Sequence, residues 1–142
     1  MKTLGTHSGR VLSLRLINDE ILASSSSFYT IKIWSLIDST KLFEFNEHNG
    51  GIWILIYYSP LNMLISAAED NTIKQWNLTS MSLIRTLNGH TNDIYSLAFI
   101  NNETFISCSI DGTIKVWNIQ TGKYLDTIKN NLSNQAVETF GL

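Results

Sequence analysis

Ser107, His90 and Asp111 are the residues of this chain whose types could do chemistry together. A serine hydroxyl, an imidazole to take its proton and a carboxylate to orient the imidazole are the parts of a hydrolase. The stretch "SCSIDGTIKVWN" (Ser107 to Asn118) carries two of them, and "LNGHTNDIYSLAF" (Leu87 to Phe99) carries the third. The same types recur upstream as His48, Ser66 and Asp70. An attacking serine needs an exposed hydroxyl, an oxyanion hole and a cleft, and none of that calls for a second copy. A buried hydrogen-bond network that fastens a repeated structural unit does.

The elements that must position these groups are themselves repeated. Trp34, Trp76 and Trp117 stand 42 and 41 residues apart, and His7, His48 and His90 stand 41 and 42 apart. "TIKIWS" (Thr30 to Ser35), "TIKQWN" (Thr72 to Asn77) and "TIKVWN" (Thr113 to Asn118) are near copies. Upstream of them lie "ILASSS", "LISAAED" and "FISCSID", and further upstream "RVLSLRL", "GIWILIY" and "DIYSLAF". An apolar run follows each Trp: "KLFEF", "SLIRTL" and "KYLDTI". Each unit therefore holds four short strand-like runs divided by Asn, Asp, Gly or Ser. No sustained 3.6-residue periodicity predicts a helix. Alternation in "TIKVW" sets Ile114 and Val116 on one face and Trp117 on the other. Such a sheet needs a neighbour on both sides, and four-stranded sheets stacked through both faces around an axis make a propeller. At the ends, "KTLGTH" (Lys2 to His7) matches "RTLNGH" (Arg85 to His90), and "VETFGL" (Val137 to Leu142) matches "IYSLAF" (Ile94 to Phe99). These predict partial strands at both ends.

Composition narrows the function. The 142 residues are 44% hydrophobic and 15% charged, with a net charge of −2. The apolar content favours a folded core over disorder. No basic block offers the electrostatic footprint of nucleic-acid or anionic-membrane binding. No apolar run reaches the ~20 residues of a membrane helix. "MKTLGTHSGR" has no apolar signal core, so an intracellular place is expected, cytoplasmic or nuclear. Each unit offers one His, with no short-spaced pair such as HxxxH to begin a metal site. Neither metal nor cofactor is expected. Cys108, the only cysteine, falls in an apolar strand and reads as a buried inert thiol.

These motifs resemble the WD40 repeat family over essentially the whole chain. The third unit carries the fullest pattern: "LNGH", "ISCSIDGTIKVWN" and "TGKYL", with Asn118 where the family usually has Asp. The second has "NEH" (Asn46 to His48) for the usual "GH", and the first has Phe28 at the aspartate position. The resemblance implies an all-β propeller segment of about three four-stranded antiparallel blades. Blade 1 spans about 8–46, blade 2 about 49–88 and blade 3 about 91–129, with a further repeat beginning in 130–142. It also implies structural tetrads Asp70–His48–Ser66–Trp76 and Asp111–His90–Ser107–Trp117, and an incomplete set His7, Ser24 and Trp34.

Family propellers usually have seven blades, sometimes six or eight. A three-blade chain is then a segment of a longer propeller or associates with copies of itself to complete a ring. The resemblance implies a non-catalytic scaffold or adaptor that binds proteins or peptides. A recognition or assembly subunit of a larger complex (ubiquitin ligase or RNA processing) is the alternative, with a Ser107 hydrolase behind both. Partner contacts in the family fall three and five residues after the loop His: here Arg10 and Leu12, Gly51 and Trp53, Asp93 and Tyr95. They also fall one residue before the turn Asp: here Ser27, Glu69 and Ile110. Trp53 and Tyr95 suit an interface and suit equally well the filling of a central channel.

Overall fold

A computed structural model describes residues 3–129. Three four-stranded antiparallel sheets follow one another along the chain. Blade 1 holds β1 (Val11–Asn18), β2 (Ile21–Ser26), β3 (Ile31–Ser35) and β4 (Lys41–Phe45). Blade 2 holds β5 (Ile52–Tyr58), β6 (Met63–Ala68), β7 (Ile73–Asn77) and β8 (Ser82–Leu87). Blade 3 holds β9 (Ile94–Phe99), β10 (Thr104–Ser109), β11 (Thr113–Asn118) and β12 (Tyr124–Lys129). Within each blade every strand pairs with the next in sequence. The only helical turn among the described residues is Ser59–Leu61, with Pro60 at its second position.

Local chemistry sets the hairpins. Asn18, Asn77 and Asn118 each turn a side-chain oxygen onto backbone N–H groups two or three residues ahead, the Asx turn that short polar side chains favour. Tyr29, Asn71 and Gly112 occupy one position between the second and third strands of their blades. Their φ values are 66°, 64° and 78°, so the three turns share a left-handed residue.

Alternation gives each blade two apolar faces. In blade 2, Leu55, Leu64 and Trp76 face blade 1, where they meet Ala23, Ile31, Ile33 and Phe45. Ile65, Ile73 and Leu87 face blade 3, where they meet Leu97, Phe105 and Trp117. Each inter-blade core thus joins the tryptophan face of one blade to the reverse face of the blade before it. The first strands adjoin, β1 to β5 and β5 to β9, so the sheets fan from a common line. Polar contacts cross the same seams. Arg15 Nε donates to Leu55 O at 3.2 Å, and Gln75 Nε2 donates to Ile119 O at 2.8 Å.

The strand expected at Lys2–His7 differs. Thr3–His7 is described and carries no strand, because no described strand lies alongside it to complete a ladder. It lies over Trp34 instead. A Cβ on Gly5, whose φ is 153°, would sit 2.5 Å from that ring, so glycine permits the close approach. The further repeat expected in 130–142 lies outside the described residues.

Candidate functional site

The Ser, His and Asp of blades 2 and 3 come from different elements of one blade. The histidine precedes the first strand, the serine lies in the second, the aspartate follows it in the turn, and the tryptophan lies in the third. The strand register puts Ser66 opposite Lys74 and Ser107 opposite Lys115. Each serine therefore shares a face with the tryptophan two residues beyond that lysine. His48 Nδ1 lies 2.8 Å from Asp70 Oδ2, and its Nε2 lies 2.7 Å from Ser66 Oγ. Trp76 Nε1 donates to Ser66 Oγ at 2.8 Å. In blade 3, His90 reaches Asp111 and Ser107 at 2.7 Å each, and Trp117 Nε1 donates to Ser107 Oγ at 2.8 Å.

The donors run in one direction. An ionised carboxylate only accepts, so Nδ1–H of the histidine donates to it. Nε2 is then the acceptor and takes the serine O–H. The serine oxygen in turn takes the indole N–H. Ser66 and Ser107 are fully buried. The order serine–histidine–aspartate is that of a hydrolase, but the attacking lone pair is engaged by tryptophan and no path leads to it. The arrangement gives each of these buried or half-buried polar groups a hydrogen-bond partner.

Burial sets the charges. It pushes the His48 and His90 imidazoles below their ordinary range, against the opposing pull of Asp70 and Asp111. Burial also opposes ionisation of the two carboxyls more than any other single influence. Their donors together outweigh it. Asp70 is held well below the usual carboxylate range by His48, Thr72 and the Asn49 N–H. Asp111 is lowered to about 2, with burial outweighed by Thr113, the Thr91 N–H and His90.

One member of these networks was not singled out from sequence. Thr72 Oγ1 donates to Asp70 at 2.7 Å and Thr113 Oγ1 to Asp111 at 2.6 Å. In blade 1, His7 reaches Ser24 at 2.6 Å and Trp34 Nε1 donates to Ser24 at 2.7 Å. Phe28 turns outward, 59% exposed. Thr30 Oγ1, the counterpart of Thr72 and Thr113, stands 3.2 Å from His7 Nδ1 in place of the acid. The threonine of the repeated "TIK" was the available signal.

The expected contact residues fall into three like pairs. A backbone bond joins Ser27 N to Arg10 O, Glu69 N to Gly51 O and Ile110 N to Asp93 O, at 2.9, 2.9 and 3.0 Å. Blades 2 and 3 are brought together at this level. The Trp53 and Tyr95 rings meet edge to face with centroids 5.2 Å apart. Glu69 accepts from Gly51 N at 3.0 Å. Burial, and then the charge of Glu69, raise the Asp93 carboxyl. Burial, Asp93 and Glu69 raise the Tyr95 phenol. Two rings and two carboxylates thus share a neighbourhood. The Trp53 Nε1–H is buried without a partner. Arg10 and Ser27 pair with each other through Arg10 N and Ser27 Oγ at 3.0 Å, apart from the Trp53–Tyr95 pair. Leu12 is half-buried and Ile110 exposed.

Among the described residues no group of three or more His, Cys, Asp or Glu is set to hold a metal ion. No helix there is long and apolar enough to cross a membrane. Cys108 is buried, and burial pushes its thiol up.

A model of the WD domain, G-beta repeat, matches residues 39–77 and 81–118, the stretches that hold the two sets complete with an acid. Autophagic-related protein 16.2 of Caenorhabditis elegans is 30% identical over 107 residues, covering 72% of this chain and 20% of that protein. Coatomer subunit beta'-2 of Arabidopsis thaliana is 33% identical over 79 residues, covering 54% of this chain and 8% of that one. Among solved structures, the WD40 beta propeller domain of Doa1 superposes with a TM-score of 0.75 at 32% identity, covering 89% of this chain and 42% of that one. The RRP9 WD40 repeats superpose with a TM-score of 0.85 at 23% identity, covering 92% and 42%. The chain spans a fifth or less of these two curated relatives and under half of each solved chain.

Proposed function

The chain belongs to the WD40 repeat family, and on that premise we propose that it is a non-catalytic scaffold whose partner-binding surface is the Trp53–Tyr95 pair. WD40 repeat proteins generally act as protein-interaction scaffolds. The observation that carries this reading is the edge-to-face contact of Trp53 and Tyr95 beside Glu69 and Asp93. Aromatic rings give large contact area at low entropy cost, and their faces attract cations. Two carboxylates beside them add a negative field. The matching partner is a protein segment that presents a lysine or arginine. We place this activity inside the cell, in the cytoplasm or the nucleus.

The test is fluorescence titration of the chain against arrayed short peptides of basic, neutral and acidic character. Basic peptides should bind, and more weakly as salt is raised. Trp53→Ala should weaken that binding ~30-fold, as expected for a central anchor worth ~2 kcal/mol. Undiminished binding by a folded Trp53→Ala variant, or a preference for acidic peptides, would refute the assignment.

A further inference from the structure

Three dipeptides of this chain join an Asn or Asp to a glycine: Asn49–Gly50, Asn88–Gly89 and Asp111–Gly112. In each, the glycine nitrogen can attack the side-chain carbonyl carbon of the residue before it, because no Cβ shields that nitrogen. Attack requires the side chain and the following peptide to swing toward each other. A loop fastened at that peptide must open locally before it can do so, and an unfastened loop need not.

The fold treats the three differently. Asn49 N donates to Asp70 Oδ2 at 2.9 Å, and on the other side Gly51 N donates to Glu69 Oε2 at 3.0 Å. Gly50 between them is buried. A Cβ there would lie 2.6 Å from Asp70 N and 2.9 Å from the Glu69 carbonyl carbon, so the turn after β6 packs its backbone directly on this peptide. Gly112 N donates to Ser109 O at 3.2 Å. The Asp111 carboxylate accepts from His90, Thr91 N and Thr113 and stays ionised, which makes its carbon a poor target. Asn88 and Gly89 are both exposed. Among the described residues neither the Asn88 side chain nor the Gly89 N–H has a hydrogen-bond partner. A Cβ on Gly89 would meet only the side chains of Trp117 and Lys115, at 3.2 Å or more.

We propose that Asn88 is a site of spontaneous deamidation, and that the fold protects Asn49 and Asp111 from the same chemistry. Gly89 N gives its proton to solvent and bonds to Asn88 Cγ. The side-chain nitrogen takes up a proton and leaves as ammonia, which closes a five-membered succinimide ring. Water then adds to one of the two ring carbonyls and breaks its bond to Gly89 N. Breaking the new bond gives aspartate, and breaking the original peptide bond gives isoaspartate. Either product puts a carboxylate where a neutral amide stood. Isoaspartate also routes the main chain through the former side chain, which lengthens it by one carbon just ahead of His90. The proposal is independent of the partner-binding reading above, because neither Asn88 nor Gly89 belongs to the Trp53–Tyr95 pair.

Ageing the 142-residue chain in warm, mildly alkaline buffer and mapping its peptides by mass spectrometry tests this, with far-UV circular dichroism to verify folding. Trypsin places Asn49 in peptide 42–74 and Asn88 in peptide 86–115, and fragmentation separates Asn88 from Asp111. Asn88 should convert to a mixture of aspartate and isoaspartate, faster as pH rises, because the attacking nitrogen must lose its proton. Asn49 should lag at least ~10-fold, the factor that a local opening costing ~1.4 kcal/mol imposes. In urea the two Asn–Gly pairs should convert at like rates, since only the fold separates them. Equal rates at Asn49 and Asn88 in the folded chain would overturn the proposal. So would an Asn88 that persists in the folded chain after it has converted in urea, or a lag of Asn49 that is undiminished in urea.

Discussion

Replacing Phe28 with aspartate should stabilise blade 1. The site is already shaped for the acid. Tyr29 next to it has the same left-handed φ as Asn71 and Gly112, which follow Asp70 and Asp111. His7 Nδ1 and Thr30 Oγ1 stand where His48 with Thr72, and His90 with Thr113, meet their carboxylates. Asp111 measures the gain. Its fall from the ordinary 3.8 to about 2 is worth ~2.5 kcal/mol at ~1.4 kcal/mol per pKa unit. Solvent screening at an incompletely closed site reduces that to ~1 kcal/mol. Phe28 is largely exposed, and losing its stack on Tyr29 costs ~0.5 kcal/mol. The net gain is ~0.5 kcal/mol, or ~1–2 °C in Tm for a chain of this size.

The assay is urea unfolding followed by tryptophan fluorescence, with a signature in pH. An aspartate whose pKa is depressed by folding contributes stability above its unfolded-state value near 3.8. That contribution is lost as pH falls through the folded-state value. The gain should therefore be full at neutral pH and disappear in acid. It should also disappear on a His7→Ala background, because the pair shares one network. A loss of stability at neutral pH, or an equal gain with and without His7, would refute the reasoning.

Two further outcomes follow from the same geometry. His90→Ala should cost ~1–3 kcal/mol by stranding Ser107 and Asp111, and His7→Ala should cost less, because His7 holds no carboxylate; equal losses in denaturant melts would contradict this. Burial lowers the His48 and His90 pKa values, so the unfolded chain takes up protons first as pH falls. The stability they support is full above the ordinary 6.5 and declines below it, and a urea midpoint that holds or rises between about pH 7.5 and 5.5 would contradict this.

The tetrad was legible because it recurs. One Ser, His and Asp within a few dozen residues has several readings, and two copies at a fixed distance from Trp76 and Trp117 have fewer. The threonines escaped notice for a physical reason. Thr72 reads as an ordinary strand residue, and its role depends on the turn curling the Asp70 carboxylate back over it. Phe28 was legible as a missing acid, whereas Thr30 at the His7 nitrogen in its place was not. Leu14 and Leu55 show another limit. The two are the same residue type at the same position of the repeat, so only the neighbouring sheet decides which is covered. Thr3–His7 has the sequence of a strand edge and forms none, since a strand needs a ladder beside it.

The polar network and the apolar cores divide the work between them. Every bond of the Trp–Ser–His–Asp chain joins elements of a single blade, whereas the large apolar contacts join one blade to the next. The first therefore sets the register of the strands inside a unit. A one-residue slip of β10 would turn Ser107 away from both His90 and Trp117. The second sets how units adhere. A mutation in the network should soften one blade and leave its seams in place, and a mutation in a seam should part blades that remain individually in register. Heating should then fray the stack from its less fastened end, at blade 1, as in other linear arrays whose units bind only their neighbours.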